Sequence, residues 1–337
     1  MATASDTKVT LSHVAEEAGV SPSTVSRILN GTARVNPEKE ARVREVIARL
    51  GFKPDPAARA LAGGRTSTIG VVTQFIDSPF YGEALRGVED ELQKSHQVPL
   101  FVSGHWDEGD ELAAIEVLRQ RKVDGVIALS SCLSDETLTR VSEDVPLVVT
   151  GRRLTKPNVV SIDYDNVGGS HLAVAHLRAL GHQNIAFIAG PMTHADARER
   201  LAGYVAALGA EASRDSRLVV QADYQEQGGF DAMNQLLDSG APFTAVLVAN
   251  DQMAYGARLA LYRRGIALPE AISLVGFDDL YWSRYAIPPL TTVHHSAYDL
   301  GASAAKAMMD LIGGQSRVYP ILEASLIVRE TTASPQI

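Results

Sequence analysis

The sequence predicts a small all-α headpiece at the N-terminus, followed by a larger α/β core of two subdomains that each contain a parallel sheet. Three observations support this fold class. The chain has 337 residues, which is more than a single hydrophobic core usually serves. Its first 50 residues show apolar positions at helical spacing. From Ile69 onward, short apolar runs alternate with amphipathic stretches of about 10–15 residues, an order typical of parallel sheets covered by helices.

The headpiece, residues 1–52, is predicted to contain three short helices. Thr10 caps the first helix, which ends at Gly19. Ser21 caps the second helix with Pro22 at its first position, and Asn36 caps the third. The positions expected to face a common core are Leu11, Val14, Ala15 and Ala18, then Val25, Ile28 and Leu29, and finally Val43, Val46, Ile47 and Leu50. The tight turn at residues 19–21 makes the first two helices a helix-turn-helix.

Residues 53–66 are predicted to be a hinge and linker between the headpiece and the core. Pro54 and Pro56 end the third helix, and residues 57–62 can form one short helical segment capped by Asp55. The glycines and small polar residues from Gly63 to Ser67 then predict a flexible joint.

The core is predicted to contain two sets of strand–helix units. The strand candidates are Ile69–Thr73, Pro99–Ser103, Gly125–Leu129, Leu147–Thr150, Ile185–Ala189, Val219–Ala222, Ala245–Ala249 and Ser273–Phe277, with helices such as Tyr81–Ser95, Glu108–Arg121, Gly168–Leu180 and Gln252–Arg264 between them. We assign residues 67–162 and 291–322 to the N-terminal core subdomain, and residues 163–290 and 323–337 to the C-terminal one. Because ligands bind at the carboxyl ends of parallel strands, the cleft between the subdomains is the expected small-molecule site.

Composition and charge narrow the class of protein. The hydrophobic fraction of 45% and the charged fraction of 21% are ordinary for a globular protein. Residues 1–65 hold ten Lys and Arg against seven Asp and Glu, a balance of +3, while the remainder holds 21 against 33, a balance of -12. A basic head on an acidic body favours contact with phosphates through the head alone. Without a leader of basic and then apolar residues, and without an apolar run near ~20 residues, we expect a cytoplasmic protein with no membrane partner.

Several segments of the chain resemble one known family. Residues 14–31, which run from Val14 to Gly31 around the turn Ala-Gly-Val-Ser-Pro-Ser-Thr-Val-Ser-Arg, resemble the headpiece of the lactose/galactose repressor (LacI/GalR) family, and residues 53–61 are similar to its hinge helix. Residues 197–204, 249–254, 275–279 and 288–293 resemble its regulatory core. The match covers nearly the whole chain in the expected order. It implies a periplasmic-binding-protein-like core and a bacterial, nucleoid-associated transcription regulator, expected to be the repressor of a carbohydrate-utilisation operon.

The resemblance also implies the partners of the protein. We expect a homodimer that binds double-stranded operator DNA of pseudo-palindromic sequence, since two heads on a two-fold axis match two half-sites. The dimer face is expected on helix Tyr81–Ser95 and its neighbours. The second partner is a small effector in the cleft, expected to be a sugar, which controls DNA binding allosterically. The chain ends without a leucine-rich heptad repeat, so we expect no added tetramerisation helix.

Candidate DNA contacts lie in the second helix and in the hinge. They are Ser21, Pro22, Ser23, Thr24, Ser26, Arg27, Asn30, Arg59 and Leu61. Arg27 has the donors to bind guanine O6 and N7, or alternatively to hold a phosphate, and Pro22 offers only apolar contact. Leu61 alone would be taken for a packing residue. The resemblance implies that one such leucine per subunit wedges into the minor groove, where apolar side chains kink DNA.

Candidate effector contacts combine aromatic faces with planar polar groups that pair with hydroxyls. By motif position in the family they are Phe80, Tyr81, Asp163, Arg200, Tyr224, Asn250, Asp278 and His295, and Trp106 is added because it follows a strand end. Arg200 and Asp278 offer a bidentate donor and a bidentate acceptor for neighbouring hydroxyls. The carboxylate, amide and imidazole groups favour a neutral sugar over a nucleobase, which remains the alternative ligand.

Other function classes find little support in the sequence. No His-Glu-x-x-His, Gly-x-Ser-x-Gly, phosphate-loop or dinucleotide motif occurs, so we expect no enzyme, no metal and no cofactor. The single cysteine, Cys132, excludes a disulfide framework and has no basic neighbour in sequence. The adjacent His294 and His295 should point in opposite directions on an extended segment. A sugar receptor of the transport type shares the core architecture, but the helix-turn-helix argues against it.

Overall fold

The structure, a computed structural model, describes residues 9–30, 36–52, 65–209, 215–315 and 317–336. The chain divides into two compact units, with the boundary between Thr66 and Ser67. The predicted hinge segment at residues 57–62, with Arg59 and Leu61, lies outside the described residues. In the part of the chain that is described, no helix is long and apolar enough to cross a membrane.

The headpiece contains three helices: α1 (Leu11–Ala18), α2 (Pro22–Asn30) and α3 (Pro37–Leu50). Each starts at the cap that the sequence predicts, because a side-chain oxygen accepts a backbone N–H of the first turn. Thr10 accepts from the N–H of His13, Ser21 accepts from Thr24, and Asn36 accepts from Glu38.

A small apolar core holds the headpiece helices together. The buried side chains are those of Val14, Ala15, Ala18, Val25, Ile28, Val43, Val46 and Phe52. Leu11, Leu29, Ile47 and Leu50 are partly buried around them. The predicted apolar faces therefore form one core, which leaves the polar residues of α2 at the surface.

The N-terminal core subdomain contains one five-stranded parallel sheet. Its elements are β1 (Thr68–Thr73), α4 (Pro79–Lys94), β2 (Val98–Ser103), α5 (Glu108–Gln120), β3 (Gly125–Ala128), α6 (Asp135–Asp144), β4 (Leu147–Thr150) and β5 (Val159–Ile162). The strand order is β2-β1-β3-β4-β5, and every pairing is parallel.

The C-terminal core subdomain contains a six-stranded sheet. Its elements are α7 (Asn166–Ala179), β6 (Ile185–Ala189), α8 (Ala195–Leu208), β7 (Val219–Gln221), α9 (Glu226–Asp238), β8 (Ala245–Val248), α10 (Asp251–Arg263), β9 (Ser273–Asp278), β10 (Thr291–His294) and β11 (Ser325–Ile327). Between β10 and β11 the chain forms α11 (Ala297–Ile312), which packs on the N-terminal subdomain. The strand order is β11-β10-β9-β8-β6-β7, and only the pair β10–β11 is antiparallel. These two sheets confirm the predicted fold class.

The predicted boundary before Thr291 is wrong by one strand. β10 forms a parallel ladder with β9, so residues 291–294 belong to the C-terminal sheet and not to the N-terminal subdomain. The chain crosses after this strand, and α11 then packs on α4, with Ala304 and Met308 in the core of the N-terminal subdomain. The sequence pattern that would predict this strand was weak, because β10 is short and rich in threonine.

Each predicted core strand forms, with ends that differ by at most one residue from the prediction. β3, β4, β6, β8 and β9 are buried at every residue, and their burial on both faces explains why they read as unbroken apolar runs. The sequence did not identify β5, β10 and β11, which are short and contain serine, threonine or histidine.

Candidate functional site

The turn between α1 and α2 gives the headpiece its helix-turn-helix geometry. Gly19 ends α1 with φ 67°, the left-handed conformation that glycine adopts without steric cost. The backbone N–H of Val20 donates to the carbonyl of Ala15 at 3.0 Å, which ends the helix and reverses the chain. The next helix can therefore begin at Pro22.

The exposed face of α2 is polar. Among the predicted DNA contacts, Ser21, Pro22, Ser23 and Arg27 are exposed, and Thr24 and Ser26 are half-buried. Ser23 and Arg27 are one helical turn apart and share a face, while Val25 and Ile28 are buried on the other side. This is the surface that a recognition helix presents to a major groove.

The hydroxyl groups at the start of α2 form hydrogen bonds with one another. Ser21 Oγ lies 2.8 Å from Ser23 Oγ and 2.9 Å from Thr24 Oγ1, and it also caps the helix. Ser21 thus has a structural role besides any contact with DNA. The side chain of Asn30 lies outside the described part of the structure, as do Arg59 and Leu61, so their DNA contacts stay predictions.

A cavity of about 630 Å³, including its opening to solvent, lies between the two core subdomains. All but one of the predicted effector residues line it: Phe80, Tyr81, Trp106, Arg200, Tyr224, Asn250, Asp278 and His295. They come from the first turn of α4, from α8, from the last residue of β9 and from the segments after β2, β7, β8 and β10. The cavity therefore lies at the carboxyl ends of both sheets, where parallel sheets bind ligands.

Asp163 is the predicted effector residue that the structure does not bring to the cavity lining. Its Oδ2 accepts a hydrogen bond from Arg153 Nε at 2.9 Å, and its Oδ1 accepts the N–H of Tyr164 at 2.9 Å. Both oxygens of the carboxylate therefore already have partners from residues nearby in the chain. The neighbouring Tyr164 lines the cavity instead.

Arg200 is the buried centre of the polar cluster in the cavity. Its Nε donates to Asn166 Oδ1 at 3.0 Å, and its Nη1 donates to the carbonyl of Ala249 and, at 3.3 Å, to Asp278 Oδ1. The guanidinium also lies over the ring of Phe277, 3.9 Å from its centroid. These contacts fix Arg200 in one orientation without a ligand.

Asp278 and His295 form a hydrogen-bonded pair in the same cluster. The two groups lie 2.7 Å apart at Asp278 Oδ1 and His295 Nε2, and both side chains are buried. Burial raises the pKa of Asp278 to about 7, although the charge of Arg200 opposes this shift. Burial, together with the nearby Arg200 cation, lowers the pKa of His295 well below its usual value. His295 is therefore neutral, and the tautomer with its proton on Nε2 donates that proton to the Asp278 carboxylate.

The His295 ring leaves one polar atom for a ligand. Its Nδ1 is buried and has no hydrogen-bond partner among the described residues. The ring is held by aromatic neighbours, with Tyr164 edge-on at 4.0 Å between centroids and Phe277 at 5.1 Å. The adjacent His294 instead contacts Asp279, at 3.1 Å, so the two histidines point in opposite directions as predicted.

Asn250 and Tyr224 are coupled to each other as well as to the cavity. Asn250 Oδ1 caps α10 by accepting the N–H of Met253 at 2.9 Å, and its Nδ2 donates to the carbonyl of Tyr224 at 3.0 Å. Tyr224 lies against Gly190, where an added Cβ would come within 2.2 Å of the ring. Glycine at 190 therefore allows the aromatic ring to lie flat on the backbone at the cavity wall.

Left-handed backbone conformations cluster around the cavity. Trp106, Ser130, Tyr224 and Asp278 have φ values of 57°, 51°, 69° and 111°, and each lies at the carboxyl end of a strand. Such conformations cost of order 1–3 kcal/mol each in residues other than glycine. Their concentration at one edge of the sheets marks this edge as a functional site.

Two contacts across the cleft close the cavity. The rings of Trp106, after β2, and His194, before α8, stack at 3.8 Å with an interplanar angle of 20°. Ser78 Oγ donates to Gln252 Oε1 at 3.2 Å, again from one subdomain to the other. The described cleft is therefore in a closed conformation.

Several lining residues were not predicted from the sequence. They are Phe75, Ser78, Ser130, Gly151, Tyr164, Asn166, Asp196, Gln225 and Gln252. The position just after a strand could have identified Ser130 and Gly151, in the same way that it identified Trp106. Asp196 and Asn166 lie in first turns of helices, and the sequence offers no signal that these turns face the cleft.

The surroundings of Cys132 keep its thiol protonated. Cys132 Sγ lies 3.0 Å from Glu111 Oε2, and burial together with this carboxylate raises the pKa of the thiol to about 12, so the thiol is not ionised at neutral pH. In the described ranges, no group of three or more His, Cys, Asp and Glu side chains could hold a metal ion.

Comparisons with known proteins give matches over the whole chain. Residues 10–55 match the family model of bacterial regulatory proteins of the lacI family, and residues 174–332 match a periplasmic binding protein-like domain. The transcriptional regulator DegA of Bacillus subtilis is 32% identical over 335 residues, covering 97% of this chain and 98% of DegA.

Solved structures agree with the sequence relatives. The crystal structure of the lac repressor dimer bound to operator and the anti-inducer ONPF has a TM-score of 0.83 and 32% identity, covering 96% of this chain and 99% of that one. The complex of the transcriptional regulator CelR with cellobiose has a TM-score of 0.72 and 33% identity, with coverage of 96% and 99%.

Proposed function

The chain belongs to the lacI family of bacterial regulatory proteins, and from that premise we propose that it represses a carbohydrate-utilisation operon under the control of a sugar bound in the cleft. It is a DNA-binding transcription regulator, and its relatives are regulators rather than enzymes. The observation that carries the proposal is the closed cavity in which Arg200, Asp278 and His295 meet aromatic side chains.

The cavity has the two chemical elements that sugar recognition needs. Aromatic rings of Phe80, Tyr81 and Tyr224 supply flat apolar surface for the C–H faces of a pyranose. The carboxylate of Asp278 accepts from hydroxyls, and the unpartnered His295 Nδ1 accepts from another. A donor and several acceptors around an apolar wall match the neighbouring hydroxyls of a sugar better than they match the polar edge of a nucleobase.

A related regulator supports a sugar as the ligand. The solved CelR complex contains cellobiose, and CelR covers nearly the whole of this chain at 33% identity. A nucleobase is the alternative effector, since the same aromatic walls would accept a flat ring. A transport receptor is not favoured, because the chain carries a lacI-type headpiece.

We propose that α2 enters the major groove and that Arg27 contacts a base edge. Ser23 shares its exposed face and would contact a base or a phosphate, while Ser21 caps the helix and Thr24 and Ser26 would contact the DNA backbone. In the hinge, Leu61 would wedge into the minor groove and Arg59 would contact a phosphate. Two such heads in a homodimer would match a pseudo-palindromic operator.

The dimer face predicted on α4 has a charged outer surface. Arg86 and Lys94 there pair with Glu83 and Glu91 of the same helix. Exposed apolar side chains instead gather on the C-terminal subdomain, where Tyr262, Trp282, Tyr285 and Ile287 are 81%, 62%, 59% and 84% exposed. Because monomers rarely expose such a group, we include it in the proposed homodimer interface beside α4.

A ligand screen followed by one substitution tests the proposal. Sugars and nucleobases are ranked by the rise in melting temperature, and the hit is then titrated against the protein on its operator. Asp278→Ala removes the carboxylate that is expected to bind hydroxyls, so the hit should act at least tenfold more weakly on this variant. Normal potency of the ligand on Asp278→Ala would reject the cavity as the effector site.

A further inference from the structure

The positive and negative charges of the side chains that line the cavity are not equal in number. Among the described lining residues the ionisable groups of full charge are Arg200, Asp196 and Asp278. His295 adds no charge, because burial and Arg200 keep it neutral. Above the pKa of about 7 of Asp278, two carboxylates therefore face one guanidinium.

The single cation of the cavity is already used by the protein. Arg200 donates to Asn166, to the carbonyl of Ala249 and to Asp278, and its Nη2 lies 3.3 Å from His295 Nε2. An incoming anion would have to compete with these buried partners. The guanidinium thus neutralises Asp278 and not a ligand.

Asp196 supplies the unbalanced negative charge. Its Oδ2 accepts a hydrogen bond from Tyr224 Oη at 3.2 Å and its Oδ1 accepts the N–H of Ala197 at 2.9 Å, so both donors are neutral. Asp196 lies in the first turn of α8, where the helix dipole favours an anion. The carboxylate therefore already occupies the position that a phosphate or carboxylate of a ligand would otherwise use.

The arginines near the mouth of the cleft do not reverse this balance. Arg152 is held by Asp135 and by the carbonyls of Leu133 and Ser131, and Arg153 is paired with Asp163. Arg198, the third arginine there, donates to the carbonyls of Met192 and Thr193. The three arginines line, together with Asp196, an outer space next to the inner cavity, and none of them lines the inner cavity itself.

We propose that the cavity selects an uncharged effector over an anionic one, and that Asp196 determines this selectivity. The inference rests on the proposed function and makes it narrower: free sugars bind, whereas sugar acids and sugar phosphates are excluded. One uncompensated carboxylate in a partly buried site is expected to weaken an otherwise equal anion about tenfold or more.

Matched ligands separate charge from size. The aldose that the protein binds is compared with its uronic acid and its uronamide by calorimetric titration at about pH 8, above the pKa of about 7 of Asp278. The acid and the amide have nearly the same shape and differ in charge. The wild-type protein should bind the uronamide at least about tenfold more tightly than the uronate.

Three variants then test the assigned residue. Asp196→Asn keeps the shape, since its Oδ1 can accept the N–H of Ala197 and its Nδ2 can donate to Tyr224 Oη, and it should bring the two affinities to within about threefold. Asp196→Glu should retain the preference for the amide, because it retains the charge. Asp231→Asn removes an equal charge from the exposed side of α9 and should leave the preference as in the wild type.

Equal binding of uronate and uronamide by the wild type would overturn the inference, as would an unchanged preference in Asp196→Asn. The ligand panel also contains uracil and its carboxylated analogue orotate. A nucleobase as the true ligand would contradict the proposed sugar, and the same comparison of neutral and anionic analogues would still decide the role of Asp196.

Discussion

At the scale of single residues, the polar cluster of the cavity explains why the family motifs place these side chains where they do. Arg200 and Asp278 compensate one another in a buried site, and His295 completes the cluster as a neutral group. A buried charge without such partners would cost several kcal/mol. The cluster is thus ordered before a ligand arrives, which lowers the entropic cost of binding.

The raised pKa of Asp278 predicts a pH-dependent contribution to stability. Because the folded protein binds this proton more tightly than the unfolded chain, the stabilisation is complete below about pH 4 and is lost as the pH rises through about 7. Asn at this position resembles the protonated acid and does not titrate. The free energy of unfolding of Asp278→Asn minus that of the wild type should therefore rise with pH, by up to about 1.4 kcal/mol per unit between these limits.

Chemical denaturation at several pH values between about 4 and 8 measures this difference. Asp231→Asn serves as the control, since that carboxylate is exposed. A difference for Asp278→Asn that stays constant or falls with pH would mean that the Asp278 carboxyl is not destabilised by burial.

Sequence motifs located most of these residues but not their contacts. Family motifs identified Arg200, Asp278 and His295, and a strand-end position identified Trp106. Asp163 was misplaced, because motif position alone does not say that Arg153 and the N–H of Tyr164 occupy its carboxylate. These partners are close in sequence, but the apolar and polar pattern of the segment does not indicate which way the Asp163 side chain turns.

At the scale of helices and strands, the position of the cavity is determined by where the parallel strands end. The sequence predicted the buried strands within one residue of their observed bounds, since continuous apolar runs are a strong local signal. β10 was assigned to the wrong subdomain because its four residues, Thr291–His294, carry no such run and pair with β9 only in the folded core. The first turn of α8 faces the cleft for the same non-local reason, and so Asp196 was missed.

The Trp106–His194 stack predicts an optical signal for opening and closing of the cleft. The chain has two tryptophans, and Trp282 is 62% exposed on the outer surface. In a Trp282→Phe variant, which keeps an aromatic ring at the proposed dimer interface, Trp106 alone reports on the cleft. Its contact with His194 at 3.8 Å should give a different emission maximum and intensity when the cleft opens.

Titration of this variant with the effector measures the effect. We expect a saturable change in Trp106 emission with the same midpoint as the thermal-shift titration, and a smaller change when His194→Ala is added. Identical titration curves with and without His194→Ala would show that the stacked pair takes no part in closure.

At the scale of the whole molecule, DNA binding and ligand binding are expected in two different parts of the chain, a weakly basic headpiece and an acidic core. The negative charge of the core opposes the approach of phosphates, which favours the proposed contact through the headpiece, and the cavity lies in the core. A ligand that binds the closed cleft better than the open one shifts the population of the closed conformation, and the proposed coupling of that conformation to DNA binding is expected to be of about 1–3 kcal/mol.

The most direct test of this account is the affinity of the purified protein for DNA with and without the sugar. Genomic fragments enriched by the protein are measured by fluorescence anisotropy against scrambled duplexes of equal length and composition, at fixed salt. We expect a pseudo-palindromic fragment to bind about 1,000-fold or more tightly than the scrambled one, and the sugar to change that affinity about 5- to 150-fold. Equal affinity for both duplexes, unchanged by any sugar, would contradict the claim that a ligand in the cleft governs sequence-specific DNA binding.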